Sequence, residues 1–185
     1  GYLGCYRSLN IPHWMHQDVS DDYLQDLRNV LGEDADINTS GAECNSWVTH
    51  PWIYEERLHP TNWVADKSIR FLKTRDRTRP FFLMSSFVRP HQPLDPPKAY
   101  FDMYKDKELR SPASGDWDPQ NGAGAAGRIS DSIYGCCDAA MRKDAMAGYY
   151  AAITHVDHQL GRILTTLKED GVYDDTIILF TSDHG

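Results

Sequence analysis

Cysteine is scarce in this sequence, and its spacing excludes two classes of small domain. The 185 residues contain four cysteines, at Cys5, Cys44, Cys136 and Cys137. Four irregularly spaced cysteines do not build the dense disulfide framework of a small secreted domain, and no CxxC pair indicates a zinc site. We therefore interpret them as ordinary thiols, with a single bridge from Cys5 to Cys44 as the alternative.

Positive charge is also in short supply. The sequence has 19 Lys and Arg against 27 Asp and Glu, which gives a formal net charge of −8. General binding to nucleic acid needs clustered cationic side chains that neutralise phosphates, so we expect no nucleic-acid partner. A small anionic substrate is still compatible with this charge. It would need a local positive site, made from a metal ion or a few cationic side chains.

The sequence also lacks long apolar runs and a leader-like start. No stretch of ~18 apolar residues is present, so we expect no membrane span. The first residues, GYLGCYRSLN, have neither the charged nor the apolar region of a signal peptide, and they do not begin with methionine. Because the chain also stops directly after SDHG, we expect it to be an internal piece of a longer protein.

Helical segments are predicted from caps, terminators and apolar periodicity. The predicted helices span about residues 20–31, 61–75, 96–104 and 144–170. The stretch 106–137 is rich in Gly, Ser, Asp and Ala, and we predict a flexible surface excursion there. In the last helix, apolar residues recur every three or four positions and predict one buried stripe. This stripe consists of Tyr149, Ile153, Val156, Leu160, Ile163 and Leu167.

Two short continuous apolar runs predict buried strands. They are PFFLMSSFV at 80–88 and TIILF at 176–180, with the long predicted helix between them. This order predicts an α/β fold with a parallel-rich mixed sheet sandwiched by helices. In such sheets chemistry collects beyond the carboxyl ends of the strands. Arg89 and His91 follow the first run there, and Asp183 and His184 follow the second.

These polar residues suit particular chemistry. Asp183 and His184 offer an oxygen and a nitrogen to one divalent cation, although two ligands make only half a site. The alternative is an aspartate that caps a turn beside a surface histidine. His91 lies in the proline-rich loop RPHQPLDPP, where it could act as a general acid or bind an anion. The alternative for His91 is a histidine hydrogen-bonded within its loop.

Two longer stretches resemble one enzyme family. PFFLMSSFVRPHQPLDPPKAYFDMY resembles a core strand, a P-H-x-P loop and a PPxxYxDMY continuation. YYAAITHVDHQLGRILTTLKEDGVYDDTIILFTSDHG is similar to the segment that ends at the last metal-binding strand of the same family. That family is the formylglycine-dependent (arylsulfatase-like) sulfatases of the alkaline-phosphatase-like superfamily, and the resemblance covers about sixty residues.

The resemblance implies specific roles. Asp183 and His184 correspond to the late ligand pair for calcium, or for magnesium or manganese in some relatives. His91 corresponds to the histidine that contacts the sulfate ester and donates a proton to the leaving oxygen. Implied partners are an aryl or carbohydrate sulfate ester and a formylglycine-generating or anaerobic maturation enzyme. The implied location is periplasmic or secreted.

The sequence also departs from the family pattern. The formylglycine arises from Cys or Ser in C/S-x-P-x-R, and this motif is absent here. Neither Asp21-Asp22 nor Asp174-Asp175 follows an apolar strand, so we assign neither pair to the metal. We therefore expect residues 1–185 to form the central part of one catalytic domain and to be inactive alone. The alternatives are a phosphonate monoester or phosphodiester hydrolase of the same superfamily and a non-catalytic binding relative.

Other prominent residues have ordinary interpretations. His155 and His158 flank Asp157 on the long predicted helix, and we expect them to be solvated or packed rather than to bind metal. Three tryptophans are expected to cover the core, with a sugar-binding platform as the alternative. They are Trp47, Trp52 and Trp63.

Overall fold

A computed structural model describes residues 22–35, 37, 47–110 and 139–183 of the chain. The described residues contain four α-helices and one short 3₁₀ turn, Glu56–Leu58. The helices are α1 (Asp22–Leu31), α2 (Pro60–Thr74), α3 (Lys98–Asp102) and α4 (Ala139–Glu169). All four helical predictions are confirmed, although α4 begins five residues earlier than predicted. No helix in this described part is long and apolar enough to cross a bilayer.

Helix α1 packs against the beginning of α2. It ends at Leu31, and the next residue, Gly32, has a φ of +99°, which glycine readily adopts. The Gly32 N–H donates to the Arg28 carbonyl at 2.8 Å. Tyr23 is buried and donates its hydroxyl to the Leu58 carbonyl at 2.8 Å. The Trp63 indole of α2 donates to Asp26 at 2.8 Å. These polar contacts fix the angle at which the buried face of α1 packs against Leu58 and the beginning of α2.

The main apolar core lies between α2 and α4. Ala65 and Leu72 of α2 are buried against Ile163 and Leu167 of α4. Beyond the core, the Arg75 guanidinium donates to Asp170 at 3.0 Å and ties the carboxyl-terminal ends of both helices together. The half-buried residues packed against this core include three from the predicted first strand. They are Phe81, Leu83 and Phe87.

The two predicted strands are unpaired in the described residues. In 81–87, half-buried and exposed side chains alternate, as an extended chain requires, and Phe82 is 89% exposed. In 176–180 the apolar side chains are exposed, with Ile177 at 90%. The described part contains an isolated parallel bridge, from Thr49 to Leu94, but no strand. The sheet therefore stays a prediction.

The predicted stripe on α4 is partly wrong. Ile163 and Leu167 are buried, but Tyr149 and Ile153 are 43% and 40% exposed. From Ala145 to Gln159, the buried face of α4 is instead formed by small and polar residues. Its members are Ala145, Ala147, Gly148, Ala151, Ala152, His155 and Gln159. The small side chains let the 47–52 segment and Leu94 approach closely, because a Cβ on Gly148 would lie 2.7 Å from Thr49 Cγ2.

Candidate active site

His91 lies at the surface, in the loop that follows residues 80–88. Its backbone N–H donates to the Val88 carbonyl at 3.1 Å, and its side chain is exposed. Imidazole Nδ1 lies 2.8 Å from the Gln92 carbonyl oxygen. A carbonyl can only accept, so Nδ1 carries a proton and Nε2 is the atom left to exchange one with a ligand. This local hydrogen bond is compatible with both interpretations of His91, and its catalytic role stays a prediction.

Arg89 follows the same apolar run as His91 but does not share its exposure. Its side chain turns inward and forms a bidentate ion pair with Asp95, with nitrogen–oxygen distances of 2.7 and 2.8 Å. Arg89 is buried and Asp95 is fully buried. Inside the protein a guanidinium without a carboxylate partner is costly, so the nearby aspartate determines where Arg89 points. The peptide bonds Arg89–Pro90 and Gln92–Pro93 are both cis.

A second buried side chain, His59, stands beside this ion pair. Its Nδ1 accepts the Thr61 backbone N–H at 3.1 Å and so caps the start of α2. The proton of the neutral imidazole is therefore on Nε2, which lies 3.7 Å from a carboxylate oxygen of Asp95. That separation is too long for a hydrogen bond, so the contact is electrostatic. Burial lowers the pKa of His59 and keeps the ring neutral.

Opposing effects set the charge of Asp95. Burial raises the pKa of this carboxyl, but the positive charge of Arg89 and its two hydrogen bonds to the carboxylate outweigh burial. The net result is a pKa well below the usual range of an aspartate, and the side chain stays ionised. The centre of the cluster is therefore one cation and one anion beside a neutral ring.

His155 extends the buried cluster to α4. Its Nε2 lies 2.5 Å from Asn62 Oδ1 of α2, and its ring centre is 4.8 Å from that of His59. Burial, and then the neighbouring His59, lower the pKa of His155 to about 3. The predicted packing role is confirmed for His155. His158 is exposed, and its Nδ1 lies 3.2 Å from the Tyr100 hydroxyl.

Sequence reasoning missed three members of this cluster, His59, Asn62 and Asp95. One usable signal existed for Asp95, since an acid six residues after an arginine in a proline-rich loop is a natural partner for it. His59 gave a weaker signal, because it directly precedes Pro60, a favoured first residue of a helix. The core prediction was confirmed for one tryptophan, Trp52, which is buried with its ring centre 5.0 Å from that of His59.

The predicted metal pair is only half described. Asp183 is exposed at the end of the 176–183 segment, and His184 lies outside the described residues, as do all four cysteines. Within the described ranges, no group of three or more His, Cys, Asp or Glu could hold an ion. The carboxylate of Asp183 is a hard oxygen donor, so its chemistry fits Ca²⁺, Mg²⁺ or Mn²⁺. The role of Asp183 as a metal ligand stays a prediction, and the described residues include one of the two predicted donors.

Comparison with known proteins identifies the family. The Sulfatase family model matches residues 14–185. The chain is 52% identical, over all 185 residues, to an arylsulfatase from Clostridium perfringens (strain 13 / Type A). It is 30% identical over 139 residues, 68% of this chain, to the multifunctional alkaline phosphatase superfamily protein PehA from Trinickia caryophylli, of which it covers 27%.

A solved structure extends the comparison to the fold. The phosphonate monoester hydrolase of Agrobacterium radiobacter superposes with a TM-score of 0.64 and 28% identity, over 88% of this chain and 36% of that enzyme. The chain spans only 38% of the Clostridium arylsulfatase. Its helices and loops are thus arranged as in the corresponding part of an alkaline-phosphatase-like enzyme. With a family match over nearly its whole length, the chain belongs to the sulfatase family.

Proposed function

We propose that the complete protein is a sulfuric ester hydrolase that acts on aryl or carbohydrate sulfates. The observation that carries this proposal is the 52% identity to an arylsulfatase over the whole chain. That span includes both the loop around His91 and the final segment with Asp183 and His184. Because the chain covers 38% of that relative, activity is proposed for the longer protein, in which residues 1–185 form the central part of one catalytic domain.

His91 is the proposed catalytic residue of this chain. Cleavage of a sulfate ester leaves negative charge on the departing oxygen, and a proton donated there lowers the barrier. With Nδ1 bonded to the Gln92 carbonyl, Nε2 of the exposed ring is the atom that would donate this proton. The imidazolium form would also attract the sulfate oxygens before the bond breaks. Both roles need an accessible ring, and the exposed side chain of His91 supports them.

Asp183 and His184 are the proposed metal ligands. They would hold a divalent cation, with calcium favoured and magnesium or manganese as alternatives. When bound, such an ion polarises the ester and stabilises developing negative charge. The proposed nucleophile is a formylglycine from a segment outside this chain, installed by a formylglycine-generating or anaerobic maturation enzyme. This chain would contribute the carboxylate of Asp183 and the imidazole of His184 as ligands.

The proposed site needs the predicted parallel-rich mixed sheet. Segments 80–88 and 176–180 are apolar, and one of them already shows the alternating burial of an extended chain. Their exposed side chains, such as Phe82 and Leu179, present the apolar surface that strands and helices of an α/β sheet cover. The similarity to the phosphonate monoester hydrolase supports this arrangement. In such a sheet His91 and Asp183 would follow strand ends on the same edge.

The decisive experiment compares three ester classes with the full-length, matured protein. An aryl sulfate, an aryl phosphonate monoester and a phosphodiester are each assayed for hydrolysis. We expect the sulfate to be hydrolysed fastest, and His91→Ala to lower that rate by about 10²–10⁴-fold, the usual contribution of a general acid. The control His158→Ala removes an exposed histidine on α4 and should change the rate by no more than about twofold.

Other outcomes would favour the alternatives. Preference for the phosphorus esters would favour the phosphonate monoester or phosphodiester hydrolase, a candidate supported by the structural similarity at 28% identity. No hydrolysis of any ester would favour a non-catalytic binding relative. An unchanged sulfatase rate in His91→Ala would remove His91 from the mechanism while leaving the activity itself established.

A further inference from the structure

We propose that Arg89 and Asp95 form a clamp that positions the His91 imidazole, a role that rests on the proposed function of His91. Arg89 precedes His91 by two residues and Asp95 follows it by four. Their ion pair therefore joins the two ends of the loop that presents the histidine. The clamp makes Arg89 and Asp95 positioning residues, since both side chains are buried while that of His91 is exposed.

The geometry of the pair supports a positioning role. Both guanidinium–carboxylate bonds are short, at 2.7 and 2.8 Å, and the side chains are 8% and 0% exposed. A bidentate pair fixes the orientation of both groups and not only their separation. Rotation of either side chain would break a bond that water cannot replace in this buried position. The loop ends are therefore held at one distance and one angle.

The clamp is anchored to the rest of the protein on its inner side. Asp95 lies against His59, which caps α2. The backbone around it is bonded to the neighbouring segment, because His50 N–H donates to the Leu94 carbonyl at 3.1 Å and Trp52 N–H donates to the Pro96 carbonyl at 3.0 Å. Movement of the clamp would disturb all of these contacts. The start of α2 and the 47–52 segment thus anchor the loop that presents His91.

Stability alone does not account for the pair. Burial of two charges costs desolvation free energy, and apolar side chains of similar size often stabilise such positions as well or better. What an ion pair adds is a directional link between two backbone points. A second pair, Arg75 with Asp170, is also largely buried but joins the far ends of α2 and α4. It provides a matched control whose two residues lie outside the loop.

The test uses the full-length, matured protein and two aryl sulfates, one with a good and one with a poor leaving group. Arg89→Lys keeps the charge but loses the bidentate geometry. If His91 protonates the leaving oxygen, a misplaced His91 slows the poor leaving group by about 10–10² in kcat, with little effect on KM or on the good one. Arg75→Lys should leave the ratio of the two rates unchanged. An equal loss on both substrates in Arg89→Lys would overturn the proposal.

A double-variant comparison asks whether Arg89 acts through His91. With the poor leaving group, Arg89→Lys combined with His91→Ala should be no slower than His91→Ala alone, since the residue being positioned is gone. Multiplied losses would instead show that Arg89 acts independently, and would overturn the clamp. Should Arg89→Lys not fold, His59→Asn is the second variant. It preserves a favourable cap for α2 while removing the ring beside Asp95, and the same rate ratio decides.

Failure of the proposed function is distinguishable from failure of the clamp. If the wild-type protein hydrolyses no ester, the proposed function is wrong, and the clamp is then judged by hydrogen exchange of residues 88–95. We expect Arg89→Lys to speed exchange of the His91 amide, which donates to Val88, while Arg75→Lys does not. Equal exchange in wild type and Arg89→Lys would overturn the clamp regardless of activity.

Discussion

The two segments that carry the proposed catalytic and metal-binding residues differ in how closely they pack against the rest of the described chain. The loop 89–95 has a buried inner side, formed by Arg89, Leu94 and Asp95, and it packs against the start of α2 and the middle of α4. The segment 176–183 is held near its start, where Thr176 bonds back to the Val172 carbonyl. Its apolar side chains beyond that point, including Phe180, are exposed.

This difference shows which part of the proposed site these residues determine. The position of His91 follows from contacts within the described chain, so local substitutions should disturb it predictably. The position of Asp183 depends on how the apolar surface of its segment becomes covered in the longer protein. Experiments on the His91 loop should therefore perturb the buried polar cluster. Experiments on the 176–183 segment should change the proposed metal ligand itself.

Removal of the carboxylate at 183 should have the largest effect. In the full-length protein, Asp183→Asn should lose bound metal and lower sulfate ester hydrolysis by roughly 10³-fold, because metal stabilisation is worth several kcal/mol. Metal content is measured by mass spectrometry beside the rate.

A second exposed aspartate, Asp174, provides a control for this experiment. It lies in the turn before the same segment, but it is not a proposed ligand. Asp174→Asn should keep both metal and activity. Full metal content in Asp183→Asn would exclude this residue from the metal site, and equal losses in both variants would indicate a general electrostatic effect.

Acidification should have an intermediate effect. It should lower the free energy of unfolding through the buried histidines that lie beside the His91 loop. His155 has a folded pKa of about 3, and the unfolded chain has the ordinary value near 6.5, so between these pH values the unfolded state binds more protons. Stability is therefore fully present above about pH 6.5 and is lost as pH falls. The expected loss from pH 7 to 5 is about 2 kcal/mol for this histidine. The lowered pKa of His59 adds in the same direction.

Urea unfolding of the full-length protein at both pH values checks this expectation. His155→Gln keeps a donor toward Asn62 but cannot titrate, so its stability should fall less between pH 7 and 5 than that of the wild type. His158→Gln removes an exposed histidine that is only a minor cause of the lowered pKa of His155, so it should change the pH dependence less than His155→Gln does. The same pH dependence in wild type and His155→Gln would contradict a neutral, buried His155.

The helices could be predicted from sequence because their signals are local. Caps, terminators such as Gly32, and apolar spacing all lie within a few residues of the element they define. The strand predictions were harder to test, since a strand exists only when a partner pairs with it. The 81–87 segment shows the expected alternation, yet no partner strand is present in the described ranges.

The buried cluster could not be predicted for a different physical reason. His59, Asp95 and His155 are brought together by packing, and each alone looks like a polar residue for the surface. The apolar stripe on α4 was partly wrong for the same reason. Periodicity ranks residues by hydrophobicity alone. His155 is suitable as a buried residue because its ring is hydrogen-bonded to Asn62. Glycine is favoured at position 148 because Thr49 approaches the helix closely there.

The smallest expected effect concerns the contact between α4 and the loop. An alanine at Gly148 would place its Cβ 2.7 Å from Thr49 Cγ2 and 3.3 Å from Leu94 Cβ, whereas at Gly161 of the same helix no atom lies within 4 Å. Alanine favours helix by up to about 1 kcal/mol at either position, but overpacking costs about 1–3 kcal/mol. Gly148→Ala should therefore lower the free energy of unfolding by about 1 kcal/mol, and Gly161→Ala should raise it slightly.

Urea unfolding of both full-length variants separates packing from helix propensity. Because Leu94 adjoins Asp95, the strain at Gly148 should also reach the loop, so Gly148→Ala should slow a poor-leaving-group sulfate more than a good one. Gly161→Ala should change neither rate. If Gly148→Ala were as stable as Gly161→Ala and equally active, the middle of α4 would not constrain the loop. The support of His91 would then depend on α2 and the ion pair alone.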